Sequence, residues 1–318
     1  MPSIQPSVAH LDVYQRTPAW VLPHPSRPVP KLEHWLYRTL PVTQRIRRGV
    51  TYALHEAGVL ALAGFPRLLR TAQWAGRAHI RRAVVDPALA DKLTPRYDMG
   101  CKRILISNTY YPALAQPDVD VITDRIASVT PAGIVNAGGV EHPVDTIVLA
   151  TGFSVVDSPS YRLVHGRHGR PLLDKFAQQG AYLGTTAHGF PNLFVLSGPN
   201  TGIGDTSLVY MIESQIAYVL DCLRTMRRHG IGTVEVRHDI HAAFFAEMLH
   251  ATEGTVWASG CHSWYLDDKS RNLTLWPGFK FAFRRRTRRF DTGSYTCTPE
   301  VVVARRLGGR HLHWADAI

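Results

Sequence analysis

VDTIVLATGF, residues 144–153, is the stretch whose reading decides the fold. Asp145 leads into a β-branched run that ends in Ala150-Thr151-Gly152. An apolar run that stops at a glycine turn is the pattern of a buried parallel strand delivered to a ligand. LFVLSGPN, residues 193–200, has the same form, stopping at Gly198 and Pro199 before helical periodicity resumes near Ser207. Two strand ends of this kind predict a nucleotide-binding α/β sheet with its crevice at the carboxyl ends of the strands.

Working outward, residues 9–15 predict a strand, and prolines 18, 23, 25, 28 and 30 separate it from a helical stretch over 32–85. Gly49, Gly58, Gly64 and Pro66 divide that stretch into several helices. Across 118–150 the runs VDVIT, IASVT and GIVNAGG alternate with turns, which predicts a small antiparallel excursion returning to the 144–150 strand. Helices over 207–228 and 239–251 flank a strand over 233–237, and no internal repeat is visible.

At 318 residues and 45% hydrophobic content the chain can bury a sizeable core. The longest charge-free apolar run in the helical stretch, 57–66, falls far short of the roughly 20 residues that span a bilayer. MPSIQPSVAH at the start has no secretory pattern, so a cytoplasmic location is expected. Cys101, Cys222, Cys261 and Cys297 form no zinc spacing, and His165/His168 and His311/His313 read as solvated loop residues, so no metal is expected. No Gly-x-Ser-x-Gly elbow points to a hydrolase.

The net charge is +11, and residues 277–318 hold nine lysines and arginines against three acids, more than half the imbalance. A basic module that binds nucleic acid or a partner chain is therefore one alternative. No DNA- or RNA-binding motif accompanies the run FRRRTRRFD at 283–291, which reads as a solvated helix end, so nucleic acid is not the expected partner.

Five blocks in order, YQRTPAW (14–20), GCKRILISNTYYPAL (100–114), ATGF (150–153), FPNLFVLSGPN (190–200) and SGCHSWYLDDKSRNLTLWPG (259–278), resemble the C-terminal half of the FAD- and NADPH-dependent flavoprotein monooxygenases. The resemblance is to the Baeyer-Villiger type within the flavin-containing monooxygenase superfamily and covers roughly residues 7–291. It implies an α/β flavoprotein fold built from parts of two Rossmann-like dinucleotide-binding domains with a helical insertion. The implied boundaries are 1–115 for part of the NADPH-binding domain, 116–291 for part of the FAD-binding domain and 292–318 for a divergent basic tail.

The resemblance also implies chemistry: NADPH reduces FAD, oxygen adds to the flavin, and oxygen is inserted beside a ketone or transferred to sulfur or nitrogen of a small molecule. Arg16, Thr17 and Lys102 would hold the 2′-phosphate of NADPH, since a guanidinium grips it bidentately and an ammonium neutralises it. Arg103 would stabilise the flavin-bound peroxide anion as the catalytic residue, unless it pairs instead with a carboxylate such as Asp98 or Asp120. Trp264 would border the nicotinamide and substrate pocket or simply pack, whereas Trp257 and Trp276 are expected in the core. Gly152, Gly198, Pro199 and Asn200 would contact the flavin nucleotide.

The family cradles the FAD pyrophosphate on Gly-x-Gly-x-x-Gly, where glycine lets backbone and helix N-terminus approach the phosphate. No such hexapeptide occurs here: after Gly202/Gly204 the third position holds Ser207, and after Gly230/Gly232 it holds Glu235. The resemblance therefore implies an N-terminally truncated form lacking the FAD-binding βαβ unit, inactive alone and dependent on the missing half. A non-catalytic remnant is the other alternative.

Overall fold

The computed structural model describes residues 1–25, 28–63, 65, 68–152, 158–202, 204, 208–260 and 263–300. Phe153, Ser207 and residues 301–318 lie outside them.

The N-terminal part is parallel α/β. Strand β1 (Leu11–Tyr14) is followed by β2 (Val21–Leu22) and by the helices α1 (Lys31–Thr39), α2 (Pro41–Ala63), α3 (Leu69–Ala83) and α4 (Pro87–Leu93). α1 to α3 are the helices expected over 32–85, and α4 follows them. Asp86 starts α4 by accepting the amides of Ala88 and Leu89 at 3.0 and 3.3 Å, with Pro87 preset for the first turn. Strand β3 (Leu105–Ile106) pairs parallel with β2, and after α5 (Tyr110–Leu114) strand β4 (Val119–Ile122) pairs parallel with β1. Val21, Ile80, Val84, Leu93, Tyr111, Leu114, Val119 and Val121 form the core beneath them. β4, beyond residue 115, thus completes a ladder with β1.

The antiparallel excursion is present as β5 (Ile126–Val129), β6 (Gly133–Asn136) and β7 (Glu141–Pro143). The segment after β7 departs from expectation. Residues 144–150 form no strand, and Val148 and Leu149 are 68% and 81% exposed. A strand exists only through its ladder, and here Val144 N–H donates to Ala132 while the next backbone bond, Ala150 to Val148, is local. An apolar sequence built for the middle of a sheet thus lies bare.

The stretch 193–200 forms no strand either, and side chains take the place of the ladder. After α6 (Pro159–Leu163) and α7 (Leu172–Gln179) comes α8 (Leu208–His229), whose Met211, Ser214, Gln215, Tyr218 and Cys222 face inward at helical spacing. Gln215 accepts the Ser197 amide at 3.0 Å and donates to the Gly184 carbonyl at 2.8 Å, and Val195 N–H reaches Thr185 O at 2.8 Å. The loop is held by one buried amide and a neighbouring turn.

Strand β8 (Ile231–Val236) and α9 (His238–Thr252) occupy the expected places, and α10 (Lys280–Arg286) carries the arginine run. Within the segment expected as a divergent tail, β9 (Tyr295–Pro299) pairs antiparallel with β8. Tyr295 anchors β9: it is 5% exposed, and its hydroxyl meets Tyr218 at 2.9 Å and Thr186 at 3.0 Å, tying the strand into the largest apolar cluster among the described residues. A third cluster joins Leu62 and Leu69 of the helical insertion to Cys101, Val256, Trp257, Tyr265 and Leu275.

Candidate functional site

The carboxyl ends of β1 and β4 open onto a cleft of about 800 Å³ lined by Arg16, Thr17, Pro18, Asp91, Lys92, Thr94, Arg96, Tyr97, Lys102 and Thr123. Parallel strands present their carboxyl ends to ligands because the turns after them diverge there. β1 delivers Arg16 and Thr17 one turn beyond Tyr14, and β4 delivers Thr123. The three residues expected to hold a phosphate, Arg16, Thr17 and Lys102, therefore share one cavity although residues 17 and 102 are far apart in sequence.

The charges in this cleft are unequal in their commitments. Arg96 pairs with Asp91 at 3.0 Å, and Lys92 donates to the Val121 carbonyl at 3.3 Å. Arg16 and Lys102 form no ion pair among the described residues, and Lys102 stands 5.1 Å from the Tyr97 ring centroid. Burial, then the Arg16 guanidinium, lowers the Lys102 pKa below the ordinary lysine range. Two cations facing one cavity, with its lining carboxylate Asp91 taken up by Arg96, are a site for an anion. Sequence reasoning missed Thr94, Arg96, Tyr97 and Thr123; Lys92 and Arg96 shortly before GCKR were the available signal.

Arg103 comes immediately after Lys102 and is exposed. The carboxylates that could have claimed it are engaged elsewhere: Asp98 accepts from Gln73 at 3.2 Å, and Asp120 lies 3.3 Å from His10. Burial pushes the Tyr265 hydroxyl up to about 12, and the positive charge of Arg103 acts in the opposite sense. Trp264 lies against the same tyrosine, ring centroids 4.4 Å apart, and is 45% exposed, whereas Trp257 and Trp276 are buried as expected. Trp264 thus packs on Tyr265, and the Arg103 charge is felt at its hydroxyl. Tyr111 is buried against Tyr110, whose hydroxyl donates to Gln15 at 2.7 Å, so this pair packs.

The expected flavin residues are less uniform. Gly152 has φ +90°, which favours glycine, and open space where a Cβ would stand. Gly198 is bare for a reason inside the chain, since a Cβ there would stand 2.4 Å from the Gly184 carbonyl oxygen. Asn200 is 2% exposed, with φ +58°, and its amide donates to the carbonyls of Asn272 and Leu275 at 2.8 and 3.2 Å. Pro199 is packed beside Gly180. The residues of the cleft fit the phosphate of a nicotinamide dinucleotide phosphate. The described residues do not by themselves fit FAD, because no glycine turn for its pyrophosphate occurs in the sequence and Asn200 has spent its amide on the backbone.

The basic run on α10 is partly committed to the body of the protein. Arg286 pairs with Glu247 and stands 5.7 Å from the Trp276 ring centroid, and Arg284 stands 5.4 Å from that of Tyr210. No helix among the described residues is long and apolar enough to cross a membrane.

No family model matches the chain. Over 307 residues it is 47% identical to a Baeyer-Villiger monooxygenase of Pseudomonas aeruginosa, covering 96% of this chain and 58% of that protein. A Baeyer-Villiger monooxygenase of Streptomyces coelicolor is 43% identical over 298 residues, 93% of this chain and 57% of the relative. Among solved structures, OTEMO in complex with FAD and NADP superposes with a TM-score of 0.76 at 22% identity, covering 93% of this chain and 63% of that one, which speaks to the fold. The chain spans less than two thirds of the length of each. By sequence and fold it belongs to the Baeyer-Villiger type of flavoprotein monooxygenase, matching part of that family's length.

Proposed function

We propose that this chain supplies the NADPH-gripping and oxygen-transfer side chains of an FAD- and NADPH-dependent monooxygenase acting on a small ketone or on a sulfur or nitrogen centre. The carrying observation is the pair Arg16 and Lys102, brought into one cleft whose one lining carboxylate, Asp91, is paired with Arg96 instead. Arg16 takes the 2′-phosphate through two parallel hydrogen bonds, Lys102 neutralises it as a point charge, and the Thr17 hydroxyl donates to a remaining oxygen. Arg103, with no ion pair among the described residues, opposes negative charge developing on oxygen at the reacting centre. Trp264 offers a flat apolar face to the nicotinamide or substrate edge. The bound cofactors supply reducing equivalents and activate dioxygen.

In this reading residues 1–115 are part of an NADPH-binding domain with a helical insertion, and residues 116–291 are part of an FAD-binding domain. Gly152, Gly198, Pro199 and Asn200 then shape the flavin side, Gly152 by direct approach and the others by fixing the loop. The 318-residue polypeptide alone holds FAD weakly and turns over negligibly, because residues 144–150 lack neighbouring strands. A cytoplasmic location goes with this assignment.

Calorimetric titration of the purified chain with NADP⁺ and NAD⁺ tests the cleft. NADP⁺ is expected to bind at least about tenfold tighter, a difference of about 1.4 kcal/mol, and Arg16→Ala is expected to erase the preference. Equal affinity of the unmodified chain for the two nucleotides would remove the basis of the proposal.

A further inference from the structure

At the opposite end of β1 from the cleft, Asp12 and Asp120 are register partners across the parallel β1–β4 ladder. Neighbouring strands lie about 4.8 Å apart, so register partners project from the same face. Like charges placed in this way oppose pairing unless a cation lies between them. His10, two residues before Asp12, projects from that face as well. Its Nε2 is 3.1 Å from Asp12 Oδ1 and 3.3 Å from Asp120 Oδ2, and the three ligand atoms all lie within 4.8 Å of one another. No lysine or arginine pairs with either carboxylate among the described residues.

We propose that His10, Asp12 and Asp120 form a binding site for one first-row divalent metal ion, with Zn²⁺ as its probe. With metal–ligand bonds of about 2.0 to 2.2 Å, ligands sharing a tetrahedral ion stand about 3.4 Å apart, and the imidazole is already near that spacing from each carboxylate. One imidazole and two carboxylates suit zinc, manganese or cobalt better than a soft or purely oxygen-seeking ion. The Asp12 side chain is only 7% exposed, while those of His10 and Asp120 are 51% and 70% exposed. Water can therefore complete the coordination on the open side.

Behind Asp12 stands His142 of β7, its Nδ1 3.7 Å from Asp12 Oδ2. Its ring meets Tyr14 edge-on with centroids 6.0 Å apart, and its buried Nε2 has no hydrogen-bond partner. The metal would then clip β1 to β4, away from the nucleotide cleft. The sequence pointed to no metal because only strand register brings Asp120 to the other two ligands.

Equilibrium dialysis of the 318-residue chain against Zn²⁺, with Co²⁺ absorption as a second readout, tests the site. The unmodified chain is expected to bind one tight equivalent and to rise in Tm with metal. His10→Ala and Asp120→Asn alter exposed side chains and should leave the far-ultraviolet circular dichroism unchanged, while each weakens the tight equivalent by at least about tenfold. His250→Ala, at an exposed histidine beside Glu253, should leave it intact. The proposal is overturned if the unmodified chain shows no tight equivalent, or if both site variants retain it.

Discussion

The indole of Trp264 lies against the ring of Tyr265 with 4.4 Å between centroids and 56° between planes, yet the tryptophan is 45% exposed and the tyrosine 2%. The buried ring is the platform and the exposed one is the surface offered to a ligand. Trp264→Ala should cost only about 1 kcal/mol of stability, the size of an aromatic pair contact, while lowering NADP⁺ affinity. Trp257→Ala, in the core, should cost about 3 to 5 kcal/mol. Denaturant titration of both variants checks the contrast; equal losses would assign Trp264 to packing.

Lys102 carries a conflict between stability and binding. Its folded pKa is lowered by burial and by Arg16, so the folded state holds its proton less firmly than the unfolded state does. The unfavourable contribution is fully present below the lowered pKa and disappears as pH rises from there to the ordinary lysine range. At neutral pH, Lys102→Gln should therefore raise Tm slightly while weakening NADP⁺ about tenfold or more, as expected for loss of a charge-assisted phosphate contact. Thermal scans and titrations on one preparation read both effects, and a fall in Tm would contradict the electrostatic account.

His241 makes stability depend on pH in the acidic range. Burial first, then the nearby Lys175 charge, pushes its pKa down to about 4, while its Nδ1 accepts the His188 amide at 3.3 Å and its Nε2 lies 3.2 Å from the Gln179 carbonyl oxygen. The folded state favours the neutral ring. That contribution is complete above the ordinary histidine pKa of about 6.5 and is lost as pH falls toward 4, roughly 3 kcal/mol in all. His241→Gln should flatten the stability profile between pH 6.5 and 4, as measured by urea unfolding at several pH values.

The helices, the antiparallel excursion and β8 were legible because each declares itself locally, through 3.6-residue periodicity or through short runs between turns. Arg16, Thr17 and Lys102 were legible only through the motif, and their meeting in one cleft is a consequence of the β1–β4 ladder. Two kinds of feature were hidden. One is partner-dependent: residues 144–150 have a strand's composition but no strand to bond with, and composition cannot report that. The other is long-range register, which pairs Tyr295 with Val236 and Asp12 with Asp120.

Asn200 shows how a motif residue can serve the fold before it serves a ligand. Its side chain closes two hydrogen bonds onto the 272–275 segment from a buried position with φ +58°. Asn200→Ala would take the side-chain donor from the Asn272 carbonyl, leaving Leu275 its second donor Asn272, and would place alanine in a left-handed conformation, costing about 2 to 4 kcal/mol. Asn200→Gly keeps the backbone freedom and loses only the bonds, so it should be the milder change. Chemical denaturation of the two variants separates strain from hydrogen bonding.

Leu149 supplies the sharpest test of the bare strand, because its 81% exposure contradicts its sequence. In this chain Leu149→Lys removes no packing, so stability should change by no more than about 0.5 kcal/mol, and solubility should rise as an apolar edge becomes charged. In a longer chain whose added strands cover residues 144–150, the same substitution would bury a lysine and cost several kcal/mol. Measuring unfolding free energies in both contexts therefore reports on the neighbours of this segment. A large loss already in the 318-residue chain would mean that residues 144–150 are packed after all.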